Sequence, residues 1–429
     1  MAYLLYDLLL LLSMVVLLPW YVIRGCVRGK ARQGLRERLG FLAPRVLAVL
    51  KGRQVIWIHA VSVGETRAAV PLIKKLRLAY PNAVLLLSNV TETGREIAES
   101  IPEIDVCIYF PIDFSAAVRR AVRTVNPALV LIVETEIWPQ FVRICHKHKV
   151  PVVLVNGRIS DRSFPRYKLV GSLLKPVLAN ITFFCMQSEL DARRIGCLGA
   201  SAEKIHVSGN IKFDQSGIST EELDSKRLRA QFGIAPEARV WVAGSTHQGE
   251  DEIVVRVYQQ LLQAFPDLIL ILVPRHPHRC RQVSELLSKA GVTWYLRSDN
   301  VFPPLTGGSV LLVDTLGEML SFYTMADTVF VGGSLVPVGG HNILEASMVE
   351  KPVMFGPWMQ NFKDIAKFIS AAQGFGEVHD EEELKQLLTQ LLRDKDLSRS
   401  AGAQGATILQ QHAGATRKTI EVVRQVLGF

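Results

Sequence analysis

Short apolar runs that alternate with helical patterns most limit the folds open to this chain. In the first half, the runs are VIWIHA, AVLLLSNV, VCIYF, ALVLIVE, VPVVLVNG and ITFFCMQ. The segments between them, such as RAAVPLIKKLRLAY, are apolar at about every third or fourth position, which is the period of an amphipathic helix. Continuous Val, Ile and Leu runs separated by helices indicate parallel sheets covered on both faces. The sequence therefore predicts an α/β fold.

One polar stretch interrupts the alternation. Residues 208–226 contain two glycines and no apolar run, and the alternation then resumes with VWVAGST, LILILVPR, SVLLVDT, TVFVGGS and KPVMFG. A chain of 429 residues is long for one domain and suits two of ordinary size. We therefore expect two Rossmann-like domains in tandem, with a cleft between them. Ligands should bind beyond the carboxyl ends of the strands.

The N-terminus carries a long apolar run. Residues 3–23 contain a single acid, Asp7, and about 20 apolar residues are enough to span a bilayer. Basic residues follow directly at positions 24, 28, 30, 32, 36 and 38, whereas a cleaved signal peptide has its basic residues first. The order predicts an uncleaved single-pass anchor, with the rest of the chain in the cytoplasm. The alternative is a buried or interfacial helix.

The net charge of the chain indicates which classes of molecule it could bind. The formal net charge is +9, which favours an anionic membrane, an anionic substrate or a nucleic acid. Basic residues are not clustered with aromatic residues outside the segment after the apolar run, so no nucleic-acid partner is expected.

Carboxylates follow two of the predicted strands. Glu65 follows VIWIHA near the start of a helix, where the helix dipole favours the charged form and should lower its pKa. Acids are common at that position, so a plain helix-terminus acid and a functional carboxylate both remain open. Glu134 and Glu136, in ETEIWP, sit at the carboxyl end of the fourth apolar run, and strand alternation would place both on one side. They could be an acid–base pair, since like charges push pKa values apart, or a strand end that reaches solvent.

A glycine-rich segment in the second half suggests an anion site. Residues 330–346, FVGGSLVPVGGHNILEA, hold two glycine pairs before a helix start, and amides at a helix N-terminus bind phosphate. The segment is neither a Walker loop nor a GxGxxG fingerprint. A glycine loop needed only for close packing is the alternative.

The segment VPRHPHR, residues 273–279, raises the question of a metal. His276 and His278 are separated by a proline and flanked by arginines, with no acid nearby, so a zinc site is not expected. Arg275 suits an anion better. The acidic pair at 394 and 396 lies in a charged helical pattern and is interpreted as solvated surface.

Together these segments resemble the bacterial Kdo transferases, which add 3-deoxy-D-manno-octulosonic acid to a lipid A precursor. The resemblance covers essentially the whole chain, and the order and spacing of the motifs make it specific. The motifs are the apolar N-terminus, HAVSVGE, LSNVTETG, ETEIWP, NGRISDRSFPRY, SGNIKFD, VPRHPHR, FVGGSLVPVGGHNILEA and FGPWMQNFKDI.

The resemblance implies a GT-B fold, an α/β architecture of two Rossmann-like domains. The implied divisions are a membrane-anchor helix at 1–24, an acceptor-binding domain at 25–212, a CMP-Kdo-binding domain at 213–400 and a C-terminal helix at 401–429. The implied reaction is metal-independent, inverting transfer from CMP-Kdo to lipid IVA, without a cofactor, on the cytoplasmic face of the bacterial inner membrane.

The resemblance also implies roles for individual residues. Glu65 would be the general base that takes the proton of the acceptor hydroxyl, and Glu136 and Lys212 would stabilise the transition state. The CMP-binding residues would be Pro274, Arg275, Leu316, Gly317, Glu318, Asn342, Ile343, Leu344 and Glu345.

Two other functions remain open from the residues. The first is another GT-B enzyme that uses a UDP-sugar, since the glycine-rich helix start could bind that donor equally well. The identity of the donor, CMP-Kdo or a UDP-sugar, distinguishes this enzyme from a Kdo transferase. A membrane-tethered nucleotide-binding protein without catalysis would not need an acid at the end of the first strand.

Overall fold

The computed structural model describes residues 6–8, 10–12, 34–215, 223–299 and 303–428. The chain divides into two compact units: unit 1 is Met1–Gly217 with His412–Phe429, and unit 2 is Ile218–Gln411. Unit 1 therefore includes the last residues of the chain, from His412 onward.

Unit 1 is built on a parallel sheet with the strand order β3-β2-β1-β4-β5-β6-β7. The strands are β1 Val55–His59, β2 Val84–Asn89, β3 Val106–Tyr109, β4 Leu129–Val133, β5 Val152–Gly157, β6 Phe183–Met186 and β7 Ile205–Val207. Its helices are α1 Leu35–Arg38, α2 Pro44–Leu50, α3 Val63–Ala79, α4 Glu92–Glu99, α5 Ser115–Val125, α6 Pro139–Lys147, α7 Phe164–Leu169, α8 Gly171–Ala179 and α9 Glu189–Cys197.

Burial on both faces of this sheet explains the continuous apolar runs. In β1, Val55 and Trp57 pack into one hydrophobic cluster, and Ile56 and Ile58 pack into the cluster on the opposite face. Because successive side chains of a strand point to opposite faces, a strand covered on both sides must be apolar throughout.

Unit 2 repeats the architecture with the strand order β10-β11-β9-β8-β12-β13, all parallel. The strands are β8 Arg239–Thr246, β9 Leu268–Pro274, β10 Thr293–Leu296, β11 Ser309–Leu312, β12 Thr328–Val331 and β13 Val353–Phe355. Its helices are α10 Ser225–Gln231, α11 Glu250–Leu261, α12 Cys280–Lys289, α13 Met319–Met325, α14 Leu344–Met348, α15 Lys363–Ala371, α16 Glu381–Arg393 and α17 Lys395–His412. The two parallel α/β units confirm the predicted fold class.

The C-terminal segment forms two helices where the sequence suggested one from residue 401 onward. Helix α17 ends at His412, and α18, Ala415–Leu427, follows Gly414, whose φ of 101° turns the chain. Helix α18 packs against α3 within unit 1.

Most of the predicted anchor, residues 1–24, lies outside the described residues. Residues 6–8 and 10–12 are helical, and the Tyr6 hydroxyl donates a 3.0 Å hydrogen bond to Oδ2 of Asp113. In the part of the chain that the structure describes, no helix combines the length and the apolar character that a membrane crossing requires.

Candidate active site

Glu65 lies in the first turn of α3, just beyond the end of β1. Its side chain is buried, with 9% of the residue exposed. The backbone N–H of Val61 donates to Oε2 at 2.7 Å, and the hydroxyl of Ser62 donates to Oε1 at 2.9 Å. These bonds fix the carboxylate at the carboxyl edge of the first sheet.

Burial raises the pKa of Glu65 to about 7, although both hydrogen bonds oppose the shift. The negative charges of Glu134 and Glu136 raise it further. The expectation that the helix dipole would lower this pKa is therefore wrong, because desolvation of the carboxylate outweighs the favourable helix terminus. A carboxylate with a pKa near neutral pH is suited to accept a proton.

The two acids of ETEIWP lie next to this carboxylate. Strand β4 ends at Val133, and Glu134 has a left-handed backbone with a φ of 60°. The alternation argument therefore does not apply beyond residue 133, since the strand has already turned. Burial, and then the charge of Glu134, raises the pKa of Glu136.

Lys212 joins this cluster from the 3₁₀ turn Ile211–Gln215. Its Nζ lies 4.0 Å from Oε1 of Glu134. The turn is held in place because Ile211 donates its N–H to Oδ1 of the buried Asn156, at 3.0 Å. The structure thus brings Glu65 and Glu136 together within unit 1, and Glu134 links Lys212 to them as one neighbour of the lysine. The sequence showed Glu134 as an acid but not this pairing.

Two of the three predicted donor segments follow β9 and β11 at the carboxyl edge of the second sheet. Pro274 is the last residue of β9, and the N–H of Arg275 donates to the carbonyl of Thr246 at 2.9 Å. Leu316 is 76% exposed, and Gly317 has a φ of 88°.

Glu318 is the N-cap residue of α13, and its side chain is held by neighbouring groups. Nη2 of Arg297 donates to Oε1 at 2.8 Å, and the hydroxyl of Thr315 donates to Oε2.

The third donor segment follows β12 and leads into the short helix α14. Nδ2 of Asn342 donates to Oε1 of Glu345 at 3.0 Å, and Oδ1 of Asn342 accepts the N–H of Leu344 at 3.2 Å. Ile343 and Leu344 are buried, so a ligand would meet their backbone rather than their side chains.

Glu250 organises the glycine-rich loop, and the sequence analysis missed it. The residue is fully buried at the start of α11. Its Oε2 accepts the N–H groups of His247 and Gly333 at 2.9 and 2.7 Å, and its Oε1 accepts those of Ser334 and Leu335 at 3.0 and 2.8 Å. The sequence signal that could have identified Glu250 is its Gly-Glu dipeptide at a strand-to-helix junction, which also occurs at residues 64–65.

Histidines cluster at the same edge of unit 2. Nε2 of His247 lies 2.8 Å from Nε2 of His341, and the His276 and His278 rings stack with centroids 5.4 Å apart. Burial lowers the pKa of His247, and neighbouring cationic groups lower it further. Over the described residues, no group of three or more His, Cys, Asp or Glu side chains is arranged to hold a metal ion.

Comparison with known proteins supports the resemblance found in the sequence. Residues 33–215 match a family model described as 3-deoxy-D-manno-octulosonic-acid transferase (kdotransferase). A 3-deoxy-D-manno-octulosonic acid transferase from Haemophilus influenzae is 33% identical over 98% of this chain and 98% of its own.

Solved structures share the fold at low sequence identity. The UDP-GlcNAc 2-epimerase from Neisseria meningitidis, bound to UDP-GlcNAc, matches with a TM-score of 0.59 and 14% identity, and covers 87% of this chain and 100% of that one. A glycosyltransferase from Rickettsia africae matches with a TM-score of 0.56 and 14% identity, over 88% and 99% of the two chains. The two parallel-sheet units thus resemble those of GT-B glycosyltransferases.

Proposed function

The chain belongs to the 3-deoxy-D-manno-octulosonic acid (Kdo) transferases, and on that premise we propose that it transfers Kdo from CMP-Kdo to the lipid A precursor lipid IVA. The proposal includes inversion at the anomeric carbon of Kdo, with Glu65 as the general base. No cofactor and no metal ion are part of the proposed reaction.

The observation that carries the proposal is the burial, hydrogen bonding and raised pKa of Glu65. Its carboxylate is buried and held by two hydrogen bonds, and its pKa is raised to about 7. A sugar hydroxyl becomes an effective nucleophile only as its proton is removed, and a base whose pKa lies near the operating pH removes it best.

The proposed step is one direct displacement. Glu65 takes the proton as the acceptor oxygen bonds to the anomeric carbon, and the bond from that carbon to the CMP oxygen breaks with its electron pair on CMP. Attack from the face opposite CMP inverts the centre and leaves no covalent intermediate on the enzyme.

Lys212 and Glu136 have separate proposed roles. The Lys212 ammonium would stabilise negative charge that develops on the leaving phosphate or lies on the Kdo carboxylate. Glu136 would position a neighbouring group, since a second anion offers no charge stabilisation to a departing phosphate.

The CMP moiety would bind to the three donor segments of unit 2. These are Pro274 and Arg275, then residues 316–318, then residues 342–345. Their shared position beyond the carboxyl ends of β9, β11 and β12 supports this assignment, because open parallel sheets bind ligands at that edge.

We further propose that the protein resides at the bacterial inner membrane, with both units on the cytoplasmic face. The support is the apolar run of residues 3–23 and the basic residues that follow it.

The test supplies the full chain with freshly generated CMP-Kdo and lipid IVA, beside parallel reactions with UDP-sugars. Mass spectrometry should detect Kdo on the lipid, and NMR should show the inverted anomeric configuration. Transfer only from a UDP-sugar by the folded protein would support the alternative donor class, and a retained configuration would contradict direct displacement.

A further inference from the structure

Two histidines meet where the strand order of the second sheet reverses. Strands β9 to β11 lie on one side of β8, and the chain then returns so that β12 pairs with the other side of β8. His247 follows β8, and His341 lies between β12 and α14. Open parallel sheets bind ligands outside the carboxyl ends of their strands at such a reversal. The pair therefore lies where this topology favours a ligand, and neither histidine has a role in the reaction proposed above.

The two rings are joined by one N–H···N hydrogen bond. The angle between their planes is 7°, and the two Nε2 atoms are 2.8 Å apart although the ring centroids are 5.1 Å apart, so the rings meet edge to edge. One Nε2 must carry a hydrogen and the other must accept it, because two N–H groups or two lone pairs would repel each other. In the neutral pair, Nδ1 of the donating ring is the atom left to bind a proton. The pair can therefore gain one positive charge and keep its hydrogen bond.

Positive charge around His247 disfavours that proton while no anion is bound. Burial lowers the pKa of His247 most, and the charges of His276, Arg279 and Arg275 lower it further. Asp251 opposes this shift, but its carboxylate already accepts a hydrogen bond from Arg279. An anion bound among these groups would raise the pKa of His247, since an opposite charge favours the protonated imidazole.

The other carboxylates near the pair are held by hydrogen bonds within their own loops. Oε2 of Glu250 accepts the N–H groups of His247 and Gly333, at 2.9 and 2.7 Å. Oε1 of Glu345 accepts Nδ2 of Asn342 at 3.0 Å. These bonds compete with any interaction between the carboxylates and a protonated imidazole, so an added anion would be the main new source of negative charge.

Gly333 fixes which edges of the two rings face away from the glycine-rich loop. A Cβ atom at this position would lie 2.8 Å from Cδ2 of His341 and 3.4 Å from Cδ2 of His247. Both rings thus turn their Cδ2 edges toward residue 333. Because Nδ1 lies across the ring from Cδ2, the atoms that can take up a proton lie on the side away from this residue.

We propose that the His247–His341 pair takes up one proton from solvent when the phosphodiester of a nucleotide donor binds beside it, and that this proton offsets the charge of the phosphate. Arg275, whose N–H donates to the carbonyl of Thr246 at 2.9 Å, and the segment 342–345 would contact the same phosphate from the two strands that flank β8. The inference rests on the proposed function in that it takes the donor to be a nucleotide ester. It adds a proton to the binding step and breaks no bond of the donor.

Calorimetry of the full chain in detergent provides the test. The probes are the phosphate methyl esters of CMP and UMP, whose single phosphate charge does not titrate near neutral pH. Binding enthalpies in two buffers with different heats of ionisation give the number of protons taken up per ligand. We expect an uptake that approaches one proton between the lowered pKa of the free pair and the higher pKa of the complex. Across that interval, the Kd should fall by up to about tenfold for each unit by which the pH is lowered.

Matched variants locate the proton. His247→Gln with His341→Gln should abolish the uptake and leave the Kd nearly independent of pH, since glutamine does not titrate. His276→Gln with His278→Gln removes the neighbouring histidine pair and should retain the uptake. His379→Gln, at an exposed histidine, should also retain it.

A wild-type protein that binds an ester without proton uptake between about pH 5 and 8 would overturn the proposal without recourse to a variant. Uptake that survives loss of the 247–341 pair and disappears with the 276–278 pair would also overturn it. Preference for the UMP ester would contradict the proposed donor, yet the proton count would still test this inference. Binding of neither ester would overturn it, because the inferred phosphate site would be absent.

Discussion

The Nζ atom of Lys212 lies 4.0 Å from Oε1 of Glu134, a residue whose φ is 60°. Few residues other than glycine adopt a left-handed backbone, and those that do are enriched at functional sites. Here the carboxylate of Glu134 lies near the lysine, and its charge also acts on the proposed base. The charge of Glu134 raises the pKa of Glu65 and of Glu136, so one side chain acts on the whole cluster.

Replacing Glu134 should shift the pH dependence of transfer. The negative charge of Glu134 raises the pKa of Glu65, so Glu134→Gln should lower it. The acidic limb of kcat/KM should therefore move to lower pH, by up to about one unit. Glu134→Asp keeps the charge and is the matched control, since Asp also tolerates a left-handed backbone. An acidic limb that does not move in Glu134→Gln would show that the limb does not report Glu65.

Replacing Glu65 should remove the proton acceptor while leaving the donor bound. Glu65→Gln keeps the size of the side chain, and kcat should fall roughly 100- to 10,000-fold, the range typical of a lost general base. The KM for CMP-Kdo should change little, since the donor segments lie in unit 2. In the wild type, kcat/KM should fall as the pH drops below about 7, where Glu65 becomes protonated.

Ser62→Ala is the control for that loss. It removes the 2.9 Å hydrogen bond to Oε1 of Glu65 but keeps the carboxylate and the bond from Val61. Its kcat should fall far less than that of Glu65→Gln. Equal losses in the two variants would mean that the position of the side chain matters and its basicity does not.

The local sequence pattern predicted the strands and helices that carry the site better than it predicted the pKa values and the ion pairing of the site residues. The apolar run of β1 and the helical pattern after Ser62 placed Glu65 correctly in the first turn of a helix. The direction of the pKa shift of Glu65 depends on burial by residues that are distant in the chain. The argument from the helix dipole considers only the local helix and therefore omits this desolvation. The pairing of Glu134 with Lys212 likewise depends on the return of residues 211–215 to α3.

Interactions between residues distant in sequence also explain why helix α18 packs in unit 1. The resemblance implied a C-terminal helix at 401–429, but not the elements against which the helix Ala415–Leu427 packs. Asp214 accepts the N–H of Gly414 at 2.6 Å and the N–H of Thr416, and thereby anchors the start of α18 within unit 1. No local pattern identifies Asp214 as the capping residue of a helix so far along the chain.

Removing Asp214 should loosen helix α18. Asp214→Ala leaves two N–H groups at the helix start without their carboxylate, and the loss should destabilise unit 1 by about 1–2 kcal/mol. Hydrogen exchange at residues 415–427 should accelerate, whereas exchange in unit 2 should not change. Asp224→Ala is the matched control, because Asp224 caps α10 in unit 2 by accepting the N–H of Lys226 at 2.9 Å. Equal acceleration of α18 in both variants would contradict the capping role.

Glu250 provides the sharpest test of how unit 2 is organised. The residue is fully buried, and its two oxygens accept four backbone N–H groups, three of them from the loop at residues 333–335. In Glu250→Gln, an amide NH₂ would face two of these donors and leave them without an acceptor. A loss of about 3 kcal/mol in the stability of unit 2 is expected, since each buried donor left unsatisfied costs roughly 1–3 kcal/mol.

The Glu250→Gln substitution should change both the hydrogen exchange of the loop and the kinetics of transfer. Exchange at residues 332–341 should accelerate, and the KM for the donor should rise more than kcat falls, because the loop leads into the donor segment at 342–345. Glu252→Gln is the matched control, since Glu252 accepts a single N–H, from Gly249 at 3.0 Å. A Glu250→Gln variant with the exchange and donor KM of the wild type would show that the loop holds its conformation without the carboxylate. The glycine pair and the packing of its neighbours would then be sufficient to order it.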